Sequence, residues 1–388
     1  MKKKIAILGS TGSIGKNLLK ILKRDKKNID ILLLTANKNV AQIMIQAEEF
    51  NVKNLIITDY EKYLYIKKVL KHKKINIYNN FESFNKIFDK KKIDYTMSAI
   101  SGLDGLCPTL NIIKFTKKIG IANKESIICG WYLIKKQLIK CNTEFIPIDS
   151  EHFSIWALIK DTKKDFIENI YITASGGPFV NYPIKKFKYI TPKLALNHPN
   201  WKMGKKITID SSTMMNKVFE IIEAKKIFDL NYNQLKILVH PKSYVHAIVK
   251  FKNGLIKILA HDTDMKIPIF NSFYSNFEKY LKTTKINFKI INNLNFSIIK
   301  KNRFPVVKIL NILPNNDSLF ETIIVSANDK LVELFLANKI EYLDISKILL
   351  KIIRKEEFLK FKKKKPKNID QIINLSRDVS LKIESFCV

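Results

Sequence analysis

Short apolar runs alternate with amphipathic stretches through residues 1–150, and no other feature narrows the possible folds as far. The runs fall at 5–8, 31–35, 55–58, 95–99, 119–122 and 145–148, and stretches between them such as 14–22 and 40–50 carry apolar residues at helical spacing. Strands and helices in alternation predict a parallel sheet covered by helices. The first run leads directly into Gly9-Ser10-Thr11-Gly12-Ser13-Ile14-Gly15, where a strand gives way to a helix. Glycines at such a turn let the backbone approach a pyrophosphate, and the helix N-terminus supplies N–H groups and a partial positive charge. The spacing is GxxGxxG rather than GxGxxG, so a tight strand-to-helix turn without a ligand is the competing reading.

The end of the second run sharpens the choice of nucleotide. A site selective for NAD usually places Asp or Glu there to hold the ribose 2′-hydroxyl. This chain has Thr35-Ala36-Asn37-Lys38-Asn39, with no acid and one cation. That favours a 2′-phosphate, and hence NADP.

At 388 residues the chain exceeds what one hydrophobic core organises, and 46% hydrophobic residues can fill two or three. Its formal charge of +34, from 69 basic and 35 acidic residues, raises nucleic acid or an anionic membrane as partners. The lysines, however, are scattered through nearly every segment together with Ile and Asn. No recognised nucleic-acid module accompanies them, and runs such as 362–365 read as solvated faces. We therefore expect neither nucleic acid nor membrane as partner. Cys107, Cys129, Cys141 and Cys387 form no CxxC pair, which points to free thiols in a reducing compartment. The basic start superficially resembles a signal peptide, but the apolar run at 5–8 is too short for one, and no segment has the apolar length to span a bilayer. The expectation is a soluble, cytoplasmic protein.

Beyond residue 150 the pattern changes to α+β. Residues 167–174 read as a strand ending in Ser175-Gly176-Gly177, 212–228 as a helix, and 246–251 with 255–259 as a hairpin about Asn253-Gly254. Residues 281–305 carry few motifs and read as a connection, and past Asp317 the periodicity is helical. The expected class is α/β: a Rossmann-like NADP-binding domain over 1–150, an α+β domain over 151–280, a connecting segment over 281–310 and a helical domain over 311–388.

Chemistry-bearing residue types concentrate in two places. Pro147-Ile148-Asp149-Ser150-Glu151-His152 follows the last strand of the first region, where ligand groups gather in an α/β sheet. Alternate residues of an extended segment point the same way, which would aim Asp149 and Glu151 at one cation. A helix N-cap with acids in its first turn is the alternative. Oxygen-only ligands suit a hard ion such as Mg²⁺ or Mn²⁺. The second place is 198–223, HPNWKMGKKITIDSSTMMNKVFEIIE. On a helix opening near Ser211 or Ser212, Asn216, Glu220 and Glu223 share one face, so hydroxyls and Lys217 can hold a phosphate while Glu220 reaches a metal. The plainer account is a surface Lys217–Glu220 ion pair, worth only about 0.2–0.5 kcal/mol. Ser175-Gly176-Gly177 offers a hydroxyl and backbone N–H groups to a phosphate, and His198, Trp201 and Gly204 read as parts of a lid. His240 and His246 read as structural, and His152 as a residue that orients a neighbour. There is no GxSxG elbow to support a hydrolase.

Taken in order, GSTGSIG, ANKNV, ANKES, PIDSEH, SGGPF, HPNWKMG, DSSTMMNK and HPKS closely resemble the motifs of the 1-deoxy-D-xylulose 5-phosphate reductoisomerase family; the similarity is weakest from about 50 to 95 and beyond 280. The resemblance implies conversion of 1-deoxy-D-xylulose 5-phosphate, a sugar phosphate, to 2-C-methyl-D-erythritol 4-phosphate in isoprenoid precursor synthesis. It implies a homodimer, NADPH, and Mg²⁺ or Mn²⁺, with Co²⁺ a further candidate. Position by position, it implies NADPH contacts at Thr11, Gly12, Ser13, Ile14, Asn37, Lys38, Asn39, Asn123, Glu125 and Gly204. Metal ligands are implied at Asp149, Glu151 and Glu220. Substrate contacts are implied at Lys124, Ser150, Glu151, Ser175, His198, Ser211, Asn216, Lys217 and Glu220, with Lys124, Glu151 and His198 in catalytic roles and Trp201 and Met203 in the lid. Departures are Asn37 and Val218 where the family has Gly, Lys266 for Arg, Lys242 for Gln, and Ser326-Ala327-Asn328-Asp329 for AANE; none removes a matched metal or phosphate group. One rival is another NADP-dependent dehydrogenase, which leaves the three acids unexplained. The other is a basic nucleic-acid-binding protein on a nucleotide fold, which would bind oligonucleotides in a salt-dependent way without turnover.

Overall fold

The computed structural model describes residues 1–71, 74–88, 93–201, 203–274 and 279–387. Its strands are β1 (Lys3–Leu8), β2 (Ile29–Ala36), β3 (Asn54–Ile57), β4 (Asn76–Tyr78), β5 (Ile93–Ser98), β6 (Thr116–Ile121), β7 (Glu144–Pro147), β8 (Ile167–Ala174), β9 (Leu235–Val239), β10 (Val245–Phe251), β11 (Ile256–Ala260) and β12 (Ser297–Ile298). The α-helices of eight residues or more are α1 (Ser13–Leu22), α2 (Val40–Phe50), α3 (Tyr60–Val69), α4 (Leu106–Ile113), α5 (Lys124–Cys141), α6 (Ser150–Ile159), α7 (Lys205–Thr213), α8 (Met215–Phe228), α9 (Lys266–Phe273), α10 (Phe320–Leu336), α11 (Tyr342–Ile352) and α12 (Ile369–Cys387). The chain forms two compact units, one of Met1–Ser126, Leu133–Phe153 and Asp264–Lys282, the other of Ile127–Tyr132, Ser154–Thr263 and Thr283–Val388.

The first unit is built on a seven-stranded sheet in the order β4-β3-β2-β1-β5-β6-β7, parallel throughout. All six apolar runs are strands of it. The seventh strand, β4, has no apolar run of its own: it is Asn-Ile-Tyr, exposed to half-buried at the sheet edge. Strand order reverses at β1, which pairs with β2 on one side and β5 on the other. Such a reversal opens a crevice beyond the carboxyl ends of the strands, where α/β proteins bind ligands. Ile5, Ile7, Leu18, Leu22, Leu34 and Met97 pack into one core with Ile269, Phe270 and Phe273 of α9. Helix α9 thus returns to the first unit from a region the sequence reading had attached to the second. Its Ser272 hydroxyl is 2.9 Å from the Tyr95 hydroxyl of β5.

The second unit carries a five-stranded sheet, β11-β10-β8-β9-β12, in which only β8 and β9 are parallel. The Asn253-Gly254 hairpin forms as expected, with Gly254 at φ +87°, a left-handed conformation that glycine adopts without strain. One sheet face buries Ile170, Val249 and Leu235, and α8 packs on β8 and β9. Residues 281–305, read as a connection, also supply the edge strand β12.

One expected helix, over 212–228, is two helices. Helix α7 ends at Thr213, Met214 takes φ 72°, and α8 starts at Met215. The Ser212 hydroxyl donates to the Ile209 carbonyl (2.7 Å) and the Thr213 hydroxyl to Ile209 (3.2 Å). Hydroxyls turned back onto the preceding turn compete with helix propagation. Among the described residues, no helix is long and apolar enough to cross a membrane.

Candidate active site

The loop after β1 is shaped for close approach. Gly9 has φ +79°, and a Cβ there would lie 2.7 Å from the Ala99 carbonyl oxygen; a Cβ on Gly15 would lie 2.5 Å from Ser10 Cα. Both must be glycine for the strand-to-helix turn to close. Gly12 differs: a Cβ there would meet only the Gly9 carbonyl, at 3.4 Å. Its outer side, flanked by Thr11, Ser13 and Ile14 at the start of α1, is open to an anion. The Thr35 hydroxyl accepts from Gly9 N–H (2.8 Å), and Gln46 holds Ser10 from α2. After β2, the Lys38 side chain is 73% exposed and 3.8 Å from Asp59, so its charge is available to a phosphate. Its neighbours have structural tasks: the Asn37 amide donates to Thr58 Oγ1 (2.8 Å), and Asn39 caps α2 by accepting from Gln42 N–H (3.2 Å). Asn123 caps α5 by accepting from Ser126 N–H (2.7 Å), and its amide donates to the Ile100 and Gly102 carbonyls. Glu125 follows in the first turn.

Asp149, Glu151 and Lys124 come together in the first unit. Lys124 Nζ lies 3.1 Å from Asp149 Oδ2, and the buried His152 lies 3.0 Å from Asp149 Oδ1 through Nδ1. Ser150 Oγ donates to Glu151 Oε2 (2.5 Å). The extended geometry expected for this segment is not found. Helix α6 begins at Ser150, and Asp149 Oδ1 accepts from Glu151 N–H (3.2 Å), so Asp149 caps the helix and Glu151 sits in its first turn. The cause is the Asp-Ser start after Pro147, which satisfies the helix's first N–H groups as they emerge from the strand. A carboxylate pair at a helix N-terminus, with Lys124 beside one member, remains an oxygen donor set suited to a hard cation.

The second unit gathers the remaining residues. His198 Nε2 is 3.2 Å from Ser175 Oγ and 3.1 Å from Ser211 Oγ. His198 Nδ1 accepts from the backbone N–H groups of Asn200 (3.2 Å) and Trp201 (3.0 Å), which places the proton on Nε2. Burial lowers the His198 pKa from 6.5 to about 4. Gly176 and Gly177 both have positive φ, and a Cβ on Gly177 would lie 2.7 Å from the Ser211 carbonyl, so the Ser-Gly-Gly turn packs directly on α7. Arg303 ties down the segment that follows this turn by donating to the Phe179 (2.8 Å) and Tyr182 (2.5 Å) carbonyls. On α8, Asn216 Nδ2 and Lys217 Nζ both donate to the Glu220 carboxylate. The Lys217–Glu220 pair is therefore real, but it is no surface pair: the two side chains are 5% and 1% exposed. Glu223, on the same face, is buried as well.

Sequence reasoning gave His246 a purely structural role and passed over His261. The two rings stack with centroids 3.8 Å apart, and Trp201 meets the edge of His246. The signal was present: each histidine is seven residues from its end of the Asn253-Gly254 turn, and a hairpin brings such positions together.

Three family models match the chain: 1-deoxy-D-xylulose 5-phosphate reductoisomerase over residues 5–130, its C-terminal domain over 145–228, and the DXP reductoisomerase C-terminal domain over 261–380. The 1-deoxy-D-xylulose 5-phosphate reductoisomerase of Pelagibacter ubique is 66% identical over 387 residues, covering 100% of both chains. The enzyme of that name from Clostridium kluyveri is 37% identical over 91% of this chain and 92% of its own. Among solved structures, the 1-deoxy-D-xylulose 5-phosphate reductoisomerase from Zymomonas mobilis in complex with NADPH superposes with a TM-score of 0.88 at 29% identity, covering 100% of this chain and 99% of that one. A DOX-P reductoisomerase in complex with NADPH, fosmidomycin and magnesium gives 0.89 at 28% identity, covering 99% and 98%.

Proposed function

The chain belongs to the 1-deoxy-D-xylulose 5-phosphate reductoisomerase family, and from that premise we propose which of its residues carry the reaction. It is an NADPH- and divalent-metal-dependent enzyme that converts 1-deoxy-D-xylulose 5-phosphate to 2-C-methyl-D-erythritol 4-phosphate, a step toward isoprenoid precursors. The observation that carries this function is the full-length match to the Pelagibacter ubique enzyme.

We assign NADP binding to residues 1–150, catalysis, dimerisation and the lid to 151–280, a connecting role to 281–310 and a helical domain to 311–388. The open side of Gly12, with Thr11, Ser13 and Ile14, takes the pyrophosphate, and Lys38 meets the 2′-phosphate. Asn37, Asn39 and Asn123 shape the loops around the nucleotide, with Glu125 and Gly204 as further contacts. Asp149, Glu151 and Glu220 hold Mg²⁺, with Mn²⁺ or Co²⁺ as alternatives; the all-oxygen donor set, with a lysine beside Asp149 and another beside Glu220, fits a hard ion. When bound, the cation supplies Lewis acidity toward the substrate ketone and neighbouring hydroxyl, and NADPH supplies hydride.

The chain's own residues do the positioning. Ser175, Ser211, Asn216 and Lys217 grip the substrate phosphate, with His198 donating from Nε2. That grip fixes the sugar chain before any bond changes. Lys124, Ser150 and Glu151 face the sugar oxygens, and Lys124 and Glu151 are placed to handle protons there. Trp201 and Met203 close over the substrate and exclude water.

We further assign a homodimer formed through the sheet of the second unit, and a cytoplasmic location. The sheet face opposite α8 leaves Tyr171 and Ile248 half-buried and Ile258 exposed, side by side in register across β8, β10 and β11.

The test is NADPH oxidation that requires both 1-deoxy-D-xylulose 5-phosphate and Mg²⁺ or Mn²⁺. Well-folded protein with cofactor and metal supplied that shows no such turnover would refute the function. Glu220→Gln separates the ligand assignment from the function: NADPH affinity should persist while turnover falls by at least about a hundredfold. Normal turnover in that variant would remove Glu220 from the metal site.

A further inference from the structure

The segment that carries Trp201 rests on a seat made by two histidines, one on β10 and one just past the end of β11 in the same hairpin. The Trp201 and His246 ring centroids are 6.2 Å apart with planes at 68°, an edge-to-face contact. His246 in turn lies flat on His261, 3.8 Å between centroids at 21°. Both imidazoles are buried. His246 Nε2–H donates to the His261 carbonyl (3.2 Å), and His261 Nδ1–H donates to the Asp262 carbonyl (2.7 Å). Carbonyls only accept, so these bonds also fix which nitrogen of each ring bears its proton.

The backbone explains how a strand residue comes to point this way. The β10–β11 pairing shifts register between Val245 and Ala247, which makes His246 the extra residue of a bulge. A bulge re-aims its side chain out of the regular alternation. The Thr173 hydroxyl stabilises it by donating to the Val245 carbonyl, with the His246 carbonyl also in reach at 3.3 Å. At the far end of β11, His261 N–H donates to the Tyr244 carbonyl (2.9 Å) and closes the ladder beyond the bulge.

From this arrangement we infer that His261 is a positioning residue for the lid: its ring holds His246 in the plane against which Trp201 seats. The inference rests on the assignment of Trp201 to the lid. Among the contacts that orient His246 are a hydrogen bond to a main-chain carbonyl and the stacked face of His261. Substituting residue 261 leaves the carbonyl in place and removes the face, together with the Nδ1–H bond to Asp262. His246 then loses the flat support that sets its ring plane, and the edge that Trp201 meets is displaced. No part of His261 needs to touch substrate for this to act.

The experiment uses the full-length enzyme and the variants His261→Ala, His261→Phe, Trp201→Ala and the His261→Ala/Trp201→Ala double. KM for 1-deoxy-D-xylulose 5-phosphate, kcat, NADPH affinity and melting temperature are measured for each. His261→Ala should raise KM about three- to tenfold, the worth of an aromatic contact of this kind, with kcat and NADPH affinity within about twofold. His261→Phe should restore most of KM, because it returns a flat face without the histidine's hydrogen bond. In the Trp201→Ala background, His261→Ala should add nothing, because the contact it supports is gone. A raised KM in Trp201→Ala with a parental KM in His261→Ala would overturn the seat and leave the lid intact. A parental KM in Trp201→Ala would overturn the lid assignment itself. A His261→Ala defect of the same size in both backgrounds, or one that follows melting temperature and is not rescued by Phe, would reduce His261 to a structural residue and overturn the inference.

Discussion

His198 shows how much one side chain's partners decide. The sequence marks it as a lid residue beside Trp201, but nothing in HPNW states which ring nitrogen faces the site. Two backbone N–H groups, of Asn200 and Trp201, occupy Nδ1 and leave Nε2–H as the donor toward Ser175 and Ser211. Burial keeps the ring neutral by moving its pKa from 6.5 to about 4. The unfolded chain therefore takes up a proton at higher pH than the folded one, so this group's contribution to stability is fully present above about pH 6.5 and is lost as pH falls toward 4. Urea melts of the parent and His198→Gln should show a stability difference that shrinks, in the sense of the parent losing ground, across that window. A difference independent of pH would mean that His198 titrates normally in the folded protein.

Among elements, α8 was partly legible. Its apolar and acidic spacing revealed the face shared by Asn216, Glu220 and Glu223, because a 3.6-residue period writes itself into sequence. Its start was not legible. The break at Met214 is made by Ser and Thr hydroxyls bonding backward, and neither glycine nor proline marks it. The other end of α8 hides a second feature, since one more lysine carries little information in so lysine-rich a chain. Lys226 is 4% exposed, with Nζ 3.1 Å from both Asp317 and Glu321, and Glu321 on α10 is 1% exposed. Burial alone would push the Lys226 ammonium down, and the carboxylates of Glu321 and Asp317 outweigh it and hold it above the ordinary lysine range. Lys226→Met takes from buried Glu321 its nearest cation, and should cost about 3–5 kcal/mol at neutral pH. Lys226→Met with Glu321→Leu should recover most of it, because an apolar pair of similar volume has no charge to desolvate. Urea unfolding of the parent, the single and the double variant tests this, and a double variant no more stable than the single would show that the pair is not what ties α8 to α10.

For the molecule as a whole, the parallel sheet was readable because each of its main strands is a separate apolar run, whereas β4 and the return of α9 to the first unit were not. Ile269, Phe270 and Phe273 make α9 amphipathic, and amphipathicity says that a helix is buried without saying against which sheet. Charge is the other property at this scale, and it bears on assembly. A formal charge of +34 on each chain repels a second copy, so a dimer must be held by something other than net charge. The proposed interface, with Tyr171, Ile248 and Ile258 in register on one sheet face, supplies apolar area instead. Salt then has a definite sign. Shortening the Debye length from about 30 Å at 0.01 M to about 8 Å at 0.15 M screens the repulsion and leaves apolar burial almost untouched. Sedimentation equilibrium should therefore show the dimer tightening as salt rises over this range, and Ile258→Lys should leave monomers at both ends of it. A dimer that loosens with salt would be held by complementary charges on another surface, and an Ile258→Lys variant that dimerises like the parent would move the interface off this sheet.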